Sequence, residues 1–401
     1  MSENGQKHVR LAVRCLALIA AAAVALSVLP WAFALPAPAA VSPFVAACSA
    51  IAARSVSLVT LIGLPVLVIS WFRRRWFCRW ACPVGLLLEQ VGRLRRSSGD
   101  GWKKLPPLGR WIALVTLAGA CFGYPLLLWL DPLAIFGGFL GAFRWPLTVV
   151  SVLAAGALPI VVVGTLLLPR VWCGRLCPLG GTQELLASIG RTRRRAPRGQ
   201  VGQAAPPAPA PAPLSRRSVL ALGVGAAWGA VTVTAFGRGR RQALRPPGAV
   251  DEARFTGLCT RCGQCMRACP SGIIHPDLGQ FGLASFLTPV IRYEGTYCLA
   301  ECRKCTQVCP SGALRRLSPA DKRRAHIGLA RVDRNLCLAG VGAKCAACVD
   351  SCPYEAIRIV TNKEYYAAWL EIDPRKCNGC GACQAICVTA PKKAIVVRPR
   401  E

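Results

Sequence analysis

The sequence has 401 residues, 53% of them hydrophobic, and its apolar residues crowd before position 240 while charge is spread after position 250. This distribution indicates a membrane half followed by a soluble half. The formal net charge of +32 would suit a nucleic-acid-binding protein, but the basic clusters lie beside apolar segments, where the positive-inside rule accounts for them, so no nucleic-acid partner is expected.

Four apolar segments in the N-terminal half each have about the length that crosses a bilayer, about 20 residues. They are Leu16–Ala34, Ser55–Phe72, Trp111–Leu130 and Pro146–Leu168. We therefore expect an α-helical membrane bundle of about four spans over residues 1–190. The intervening segment Leu35–Ala53 is apolar but rich in proline, and its path, along the membrane or dipping into it, is left open.

Basic residues predict the orientation of this bundle. The loop between the second and third spans is rich in arginine and lysine over residues 73–110, whereas Arg144 is the basic residue between the third and fourth spans. Further arginines follow the fourth span. By the positive-inside rule the N-terminus, the 73–110 loop and the segment after the fourth span are cytoplasmic.

Residues 191–214 form an Arg/Pro/Ala-rich linker whose prolines favour an extended polyproline spacer. Directly after it, Arg216-Arg217 and the apolar run to Phe236 are typical of a twin-arginine export signal placed inside the chain. We expect residues 215–237 to be a fifth span, as signal or anchor, which puts the C-terminal domain on the periplasmic side of a bacterial inner membrane. The alternative is a chance Arg-Arg pair, since the usual Phe and Lys of the motif are missing. Whether the span is cleaved is left open.

Sixteen of the 23 cysteines fall after residue 258 in four groups. The first has the bacterial ferredoxin spacing C-x2-C-x2-C-x3-C-P, in which three thiolates hold one [4Fe-4S] cluster and the fourth commonly ligates its neighbour. The groups are Cys259, Cys262, Cys265 and Cys269; Cys298, Cys302, Cys305 and Cys309; Cys337, Cys345, Cys348 and Cys352; and Cys377, Cys380, Cys383 and Cys387. Zinc also takes four thiolates, but its sites are built from two separated Cys-x2-Cys pairs. The pattern therefore predicts four [4Fe-4S] clusters in residues 251–401.

Short strand-like stretches flank the last two groups, as in ferredoxin hairpin units. They are Ala330–Asp333, Ala356–Val360, Leu370–Asp373 and Ala394–Val397. We expect an α+β domain of two ferredoxin-like modules in tandem. Two partitions of the thiolates remain open: adjacent groups share, one with two and three with four, or the outer groups share with each other and the inner groups likewise.

A second cysteine motif, Cys-x3-Cys-Pro, occurs twice in the membrane half. Cys78 and Cys82 follow the second span, and Cys173 and Cys177 follow the fourth, 95 residues later. Cysteines four apart share one helical face, so the two copies could offer four thiolates to one metal or redox centre. The alternatives are buried structural cysteines and dithiol exchange.

These motifs resemble two known families. The membrane half, with its two Cys-x3-Cys-Pro motifs, resembles the NapH and MauN ferredoxin-type membrane proteins, and the rest, with Arg216-Arg217 and four cysteine groups, resembles NapG and MauM, as if the two were fused. The resemblance implies electron transfer from the quinol pool to an extracytoplasmic redox enzyme or c-type cytochrome, in a nitrate-reductase-like or methylamine-dehydrogenase-like system. The chain would act as a quinol dehydrogenase subunit or as a non-catalytic carrier.

One departure from the NapH pattern leaves the terminal acceptor open. NapH-like proteins usually add two cytoplasmic ferredoxin motifs after the last span, whereas residues 179–214 contain no cysteine. Two alternative functions remain: a maturation or assembly factor for such an enzyme, and a redox sensor. Four clusters favour a conducting function, since a sensor needs only one.

Overall fold

The computed structural model describes residues 3–26, 36–94, 105–143, 155–194, 216–236, 242–341, 343–362 and 367–400. The chain divides into two compact units. The helical unit comprises Met1–Gly239, Ala253–Cys262 and Pro310–Ala313, and the ferredoxin unit comprises Arg240–Glu252, Gly263–Cys309 and Leu314–Glu401.

The first 239 residues are helical wherever regular structure is described. The helices are α1 Glu3–Leu26, α2 Pro43–Ala53, α3 Leu58–Phe72, α4 Trp76–Trp80, α5 Pro83–Leu94, α6 Leu108–Cys121, α7 Pro132–Ala142, α8 Ala157–Leu167, α9 Pro178–Arg194 and α10 Arg216–Phe236. Four of them begin with proline (α2, α5, α7 and α9), which lacks the N–H that the first helical turn leaves unbonded. Proline therefore marks where these helices start.

Among the described residues, one helix is long and apolar enough to cross a membrane, over Gly5–Leu26. It starts earlier than the predicted first span, whose last residues lie outside the described residues. The helices α3 and α8 lie within the predicted second and fourth spans but are shorter, with 15 and 11 residues. The four-span bundle therefore stays a prediction.

The predicted third span, Trp111–Leu130, is not one unbroken helix. The helix α6 ends at Cys121, and Gly123 takes a left-handed conformation with φ of +85°. The N–H of Tyr124 then donates to the carbonyl of Gly119, which closes the helix end. The predicted loop beyond residue 130 instead contains α7. Hydropathy alone missed this break because the residues on both sides of it are apolar.

The proline-rich segment before residue 53 folds into a short 3-10 turn, Pro38–Val41, followed by α2. Ser42 caps α2 and donates from Oγ to the buried carboxylate of Asp131 at 2.5 Å. Asp131 in turn accepts from the first N–H groups of α7. One pair of buried side chains thus joins the starts of two helices.

The predicted fifth span is a helix: α10 begins at Arg216 and ends at Phe236. It packs against α6, where Gly225 lies so close to the backbone of Val115 that no larger side chain fits without a shift. Its function as an export signal or anchor stays a prediction. Residues 195–214 of the predicted linker lie outside the described residues.

The remaining elements are short and flank the cysteine groups. They are α11 Glu252–Leu258, α12 Gln264–Ala268, β1 Ile274–Pro276, β2 Pro289–Ile291, α13 Lys304–Gln307, α14 Pro319–Arg324, β3 Leu329–Val332, α15 Ala347–Asp350, β4 Ile357–Asn362, β5 Ala367–Ile372, α16 Ala382–Ile386 and β6 Ile395–Arg398. The four predicted strands correspond to β3–β6 within a few residues. The tandem ferredoxin-like arrangement is confirmed.

Strand pairing explains how each module brings two cysteine groups together. The strand before group three, β3, pairs antiparallel with β6 after group four, while β4 pairs antiparallel with β5 between the groups. The first module repeats this plan with β1 paired to β2 and a single outer bridge between Ala249 and Leu314. Each module thus closes its two cysteine loops against one another.

Candidate iron–sulfur sites

The two cysteine groups of the second module exchange their last cysteine. One small cavity is lined by Cys337, Cys345 and Cys348 of group three together with Cys387 of group four. Another is lined by Cys377, Cys380 and Cys383 of group four together with Cys352 of group three. Each cavity is therefore lined by four thiols, three from one cysteine group and one from the other.

The first module follows the same rule. A cavity in the ferredoxin unit is lined by Cys298, Cys302 and Cys305 of group two with Cys269 of group one. Cys269 of group one is thus placed with group two, just as Cys387 of group four is placed with group three. Of the two partitions that the sequence left open, the structure has adjacent groups sharing.

The surroundings of these thiols suit a sulfur-bridged cluster. Burial raises the pKa of Cys348 and of Cys380 to about 11, so the thiolates need a bound metal to form at neutral pH. Backbone N–H groups point at the sulfurs: Ala356 N lies 3.4 Å from Cys352 Sγ, and Leu314 N lies 3.4 Å from Cys309 Sγ. Such hydrogen bonds are one way in which proteins tune iron–sulfur clusters.

The two modules meet directly at their cysteine loops. The N–H of Cys298 donates to the carbonyl of Cys380 at 2.9 Å, and the hydroxyl of Tyr293 donates to the carbonyl of Gly379 at 2.5 Å. Gly381, with φ of +86°, lies against the Tyr293 ring, where a larger side chain would clash. The Cys269/Cys298/Cys302/Cys305 set, called set B below, is thus adjacent to the set that contains Cys380, called set C.

The two Cys-x3-Cys-Pro motifs of the helical unit have matching backbones. The N–H of Cys82 donates to the carbonyl of Phe77, and that of Cys177 donates to the carbonyl of Trp172, at 3.0 and 2.8 Å. In both copies the second cysteine directly precedes the proline that starts the next helix, α5 or α9. Helix N-termini favour negative charge, so each offsets part of the cost of a buried thiolate at Cys82 or Cys177.

Each copy of the motif holds the other in place. Arg75, just before the first motif, donates to the carbonyls of Cys173 and Gly174 at 2.7 and 2.9 Å. Gln183, from the helix after the second motif, donates to Cys78 Sγ at 3.2 Å and accepts from the N–H of Phe77 at 3.2 Å. Sequence reasoning missed both residues, because their partners are about 100 positions away along the chain.

All four motif cysteines line one cavity of about 410 Å³. The described residues around it include six arginines and one glutamate: Arg10, Arg14, Arg75, Arg79, Arg93, Arg170 and Glu89. Burial raises the pKa of Cys82, Cys173 and Cys177 to about 12. A positively charged cavity that holds four thiols suits a metal–thiolate centre with net negative charge.

No group of three or more His, Cys, Asp or Glu side chains in the described residues is arranged around a single metal ion. The thiolates of a [4Fe-4S] cluster bind different iron atoms at the corners of a cubane, so they do not need to converge on one point. We therefore group these cysteines by the cavity that they line together.

Family models match the stretches that contain the two Cys-x3-Cys-Pro motifs and most cysteines of the four C-terminal groups. A 4Fe-4S dicluster domain matches residues 258–314, a second dicluster domain matches residues 343–390, and a 4Fe-4S binding domain matches residues 56–99 and 150–197. Together with the tandem modules and their shared cavities, these matches define the class: an iron–sulfur electron-transfer protein with tandem 4Fe-4S ferredoxin domains.

Curated relatives narrow this class to a family. The methylamine utilization ferredoxin-type protein MauM of Methylobacillus flagellatus is 35% identical over 200 residues, which cover 47% of this chain and 81% of that protein. The ferredoxin-type protein NapG of Escherichia coli K12 is 38% identical over 186 residues, covering 44% and 78%, and NapF of the same strain is 32% identical over 145 residues, covering 36% and 79%. The chain therefore belongs to the family of ferredoxin-type proteins that includes MauM and NapG. No solved structure matches it.

Proposed function

We propose that this protein is a membrane-anchored electron carrier that takes electrons from quinol and passes them to an extracytoplasmic oxidoreductase, in a nitrate-reductase-like or methylamine-dehydrogenase-like system. The observation that carries the proposal is the sorting of the C-terminal cysteines into sets of four, each drawn from two neighbouring groups. A [4Fe-4S] cluster, when bound to such a set, takes up and releases single electrons. The relative MauM, a methylamine utilization ferredoxin-type protein, adds a link to methylamine utilization.

Residues 251–401 would hold four [4Fe-4S] clusters, as many as they have groups of four cysteines. The chain's contribution is to bury the thiols, to direct N–H groups at Cys309 and Cys352, and to keep sets B and C adjacent at the Cys298–Cys380 hydrogen bond. Because most thiols of these sets are buried or half-buried, the sites keep water away from the sulfurs. That enclosure is a means by which proteins tune cluster potentials.

The helical unit would hold a fifth centre on Cys78, Cys82, Cys173 and Cys177, as part of a NapH/MauN-like membrane domain over residues 1–190. Three observations support it: the common cavity, its arginine lining and the helix N-termini that follow Cys82 and Cys177. The matching family model is described as a 4Fe-4S binding domain. Basic loops put this centre at the cytoplasmic face.

The proposal also assigns a side of the membrane to each half. The apolar helix α10 begins at Arg216-Arg217, as expected for a twin-arginine signal that stays as an anchor. Residues 251–401 then lie on the periplasmic side of a bacterial inner membrane, where an extracytoplasmic enzyme or c-type cytochrome can reach them. Export by this route would follow folding and cluster insertion in the cytoplasm.

Metal and sulfide analysis of the full-length chain tests the cofactor content. Anaerobically purified protein should contain about four iron atoms and about four acid-labile sulfides for each set of four cysteines, or about twenty of each per chain. Its visible absorbance should bleach on reduction by dithionite and return on reoxidation. Stoichiometric zinc with little sulfide would contradict the proposal.

A further inference from the structure

A lysine side chain of the ferredoxin unit is fully buried beside set B. Lys322 has no exposed surface, and its Nζ lies 3.4 Å from Sγ of Cys298, within hydrogen-bond distance for a sulfur acceptor. An ammonium group removed from water is costly unless a negative charge and hydrogen-bond acceptors compensate for it. Lys322 thus needs a negative partner at the place where Cys298 lies.

The segment that carries Lys322 is anchored on the cysteine loop itself. The helix α14 starts with a capping box between Ser318 and Asp321, which fixes the turn on which Lys322 stands. On the solvent side, Arg323 pairs with Glu301 at 2.9 Å, and Glu301 lies in the group-two loop. These contacts fix the start of α14 and join the helix to the group-two loop that carries Cys298.

We propose that Lys322 is a positioning residue that raises the reduction potential of the centre held by set B. The inference rests on the proposed function, in which set B holds a [4Fe-4S] cluster. Reduction adds one negative charge to the cluster and its thiolates, and a buried ammonium that donates to a ligand sulfur stabilises that extra charge more than it stabilises the oxidised form.

The position of set B gives this effect a function. Cys298 donates its N–H to Cys380, so set B is the member of the first module that adjoins set C of the second. The positive charge of Lys322 beside Cys298 favours the state in which an electron shared by the two sets resides in the first module. Lys322 thereby sets the electron distribution at the junction of the modules.

A redox titration of the full-length protein, followed by electron paramagnetic resonance, tests the inference. In Lys322→Met we expect one of the one-electron steps to shift, with its equilibrium constant for reduction lowered about tenfold, or about 59 mV. Lys322→Arg should keep the potential near wild type, and Lys322→Gln, which keeps a donor without the charge, should fall between. The matched control is Arg324→Met, which removes an exposed charge from the same helix and should leave every step in place.

Iron and sulfide content, measured on the same samples, separates this inference from the proposed function. Wild-type protein without iron at set B would contradict the proposed function. Lys322→Met with full iron content and an unshifted titration would overturn the inference alone, as would an equal shift in Arg324→Met. Loss of this set's iron from both the Met and the Gln variants would also overturn it, because Lys322 would then serve assembly instead of potential.

Discussion

Replacing Cys387 and Cys348 together with serine should remove about half as much iron as replacing Cys387 and Cys383 together. Cys387 and Cys348 line the same cavity, whereas Cys383 lines the other cavity of the module. A cubane holds about four iron atoms, so the first double variant should lose about four and the second about eight per chain. Within one set, the second loss adds nothing because the first has already left the site incomplete.

The assay is iron and acid-labile sulfide per chain in full-length protein purified without oxygen. Cys48→Ser, which removes a buried cysteine outside every set, should keep the full iron content. If cysteines instead served the cluster of their own group, Cys387 and Cys383 would act together. The variant with Cys387 and Cys348 replaced would then lose about eight iron atoms and the other about four, which would refute the exchange of cysteines between loops.

Three further predictions concern the helical unit. Cys78→Ser and Cys173→Ser should each abolish quinol-driven cluster reduction, and the double variant should be no more defective than either single variant. Small additive losses of thermal stability with normal reduction rates would instead indicate independent structural cysteines. Reporters fused in the loop after the second predicted span and at the C-terminus should lie on opposite sides of the membrane, and the same side for both would refute the export proposal. Replacing Arg216 and Arg217 by Lys should keep the C-terminal domain in the cytoplasm. Gln183→Leu leaves the buried N–H of Phe77 without its acceptor and should lower the free energy of unfolding by about 1–3 kcal/mol. Denaturation in detergent measures this change, and unchanged stability would refute the contact between the two motifs.

The ferredoxin unit could be predicted well from the sequence because cysteine spacing and alternating strands are local signals. Strands β3 and β6 were expected on both sides of the last two groups, and they are found there. Ferredoxin spacing indicated that a last cysteine is exchanged, but which groups exchange Cys352 and Cys387 could not be derived locally, since it depends on which strands pair. Once β3 pairs with β6 and β4 with β5, the two loops close on each other.

The helical unit was predicted less completely, because hydropathy reports which residues are apolar and not where a helix stops. The turn at Gly123 and the helix α7 both lie in continuously apolar sequence. The contacts of Arg75 and Gln183 with the opposite motif needed the three-dimensional structure. The duplicated motif itself was visible, because its repeat of 95 residues preserves cysteine, proline and glycine together.

Reduction of the clusters by quinol tests the central claim most directly. Full-length protein in proteoliposomes, given a reduced quinone without oxygen, should bleach in the visible range and develop the resonance signals of reduced clusters. Cys173→Ser should block this reduction, while Cys121→Ser, at an exposed cysteine of the same unit, should not. Clusters that dithionite reduces but quinol leaves oxidised in the wild-type protein would contradict the account.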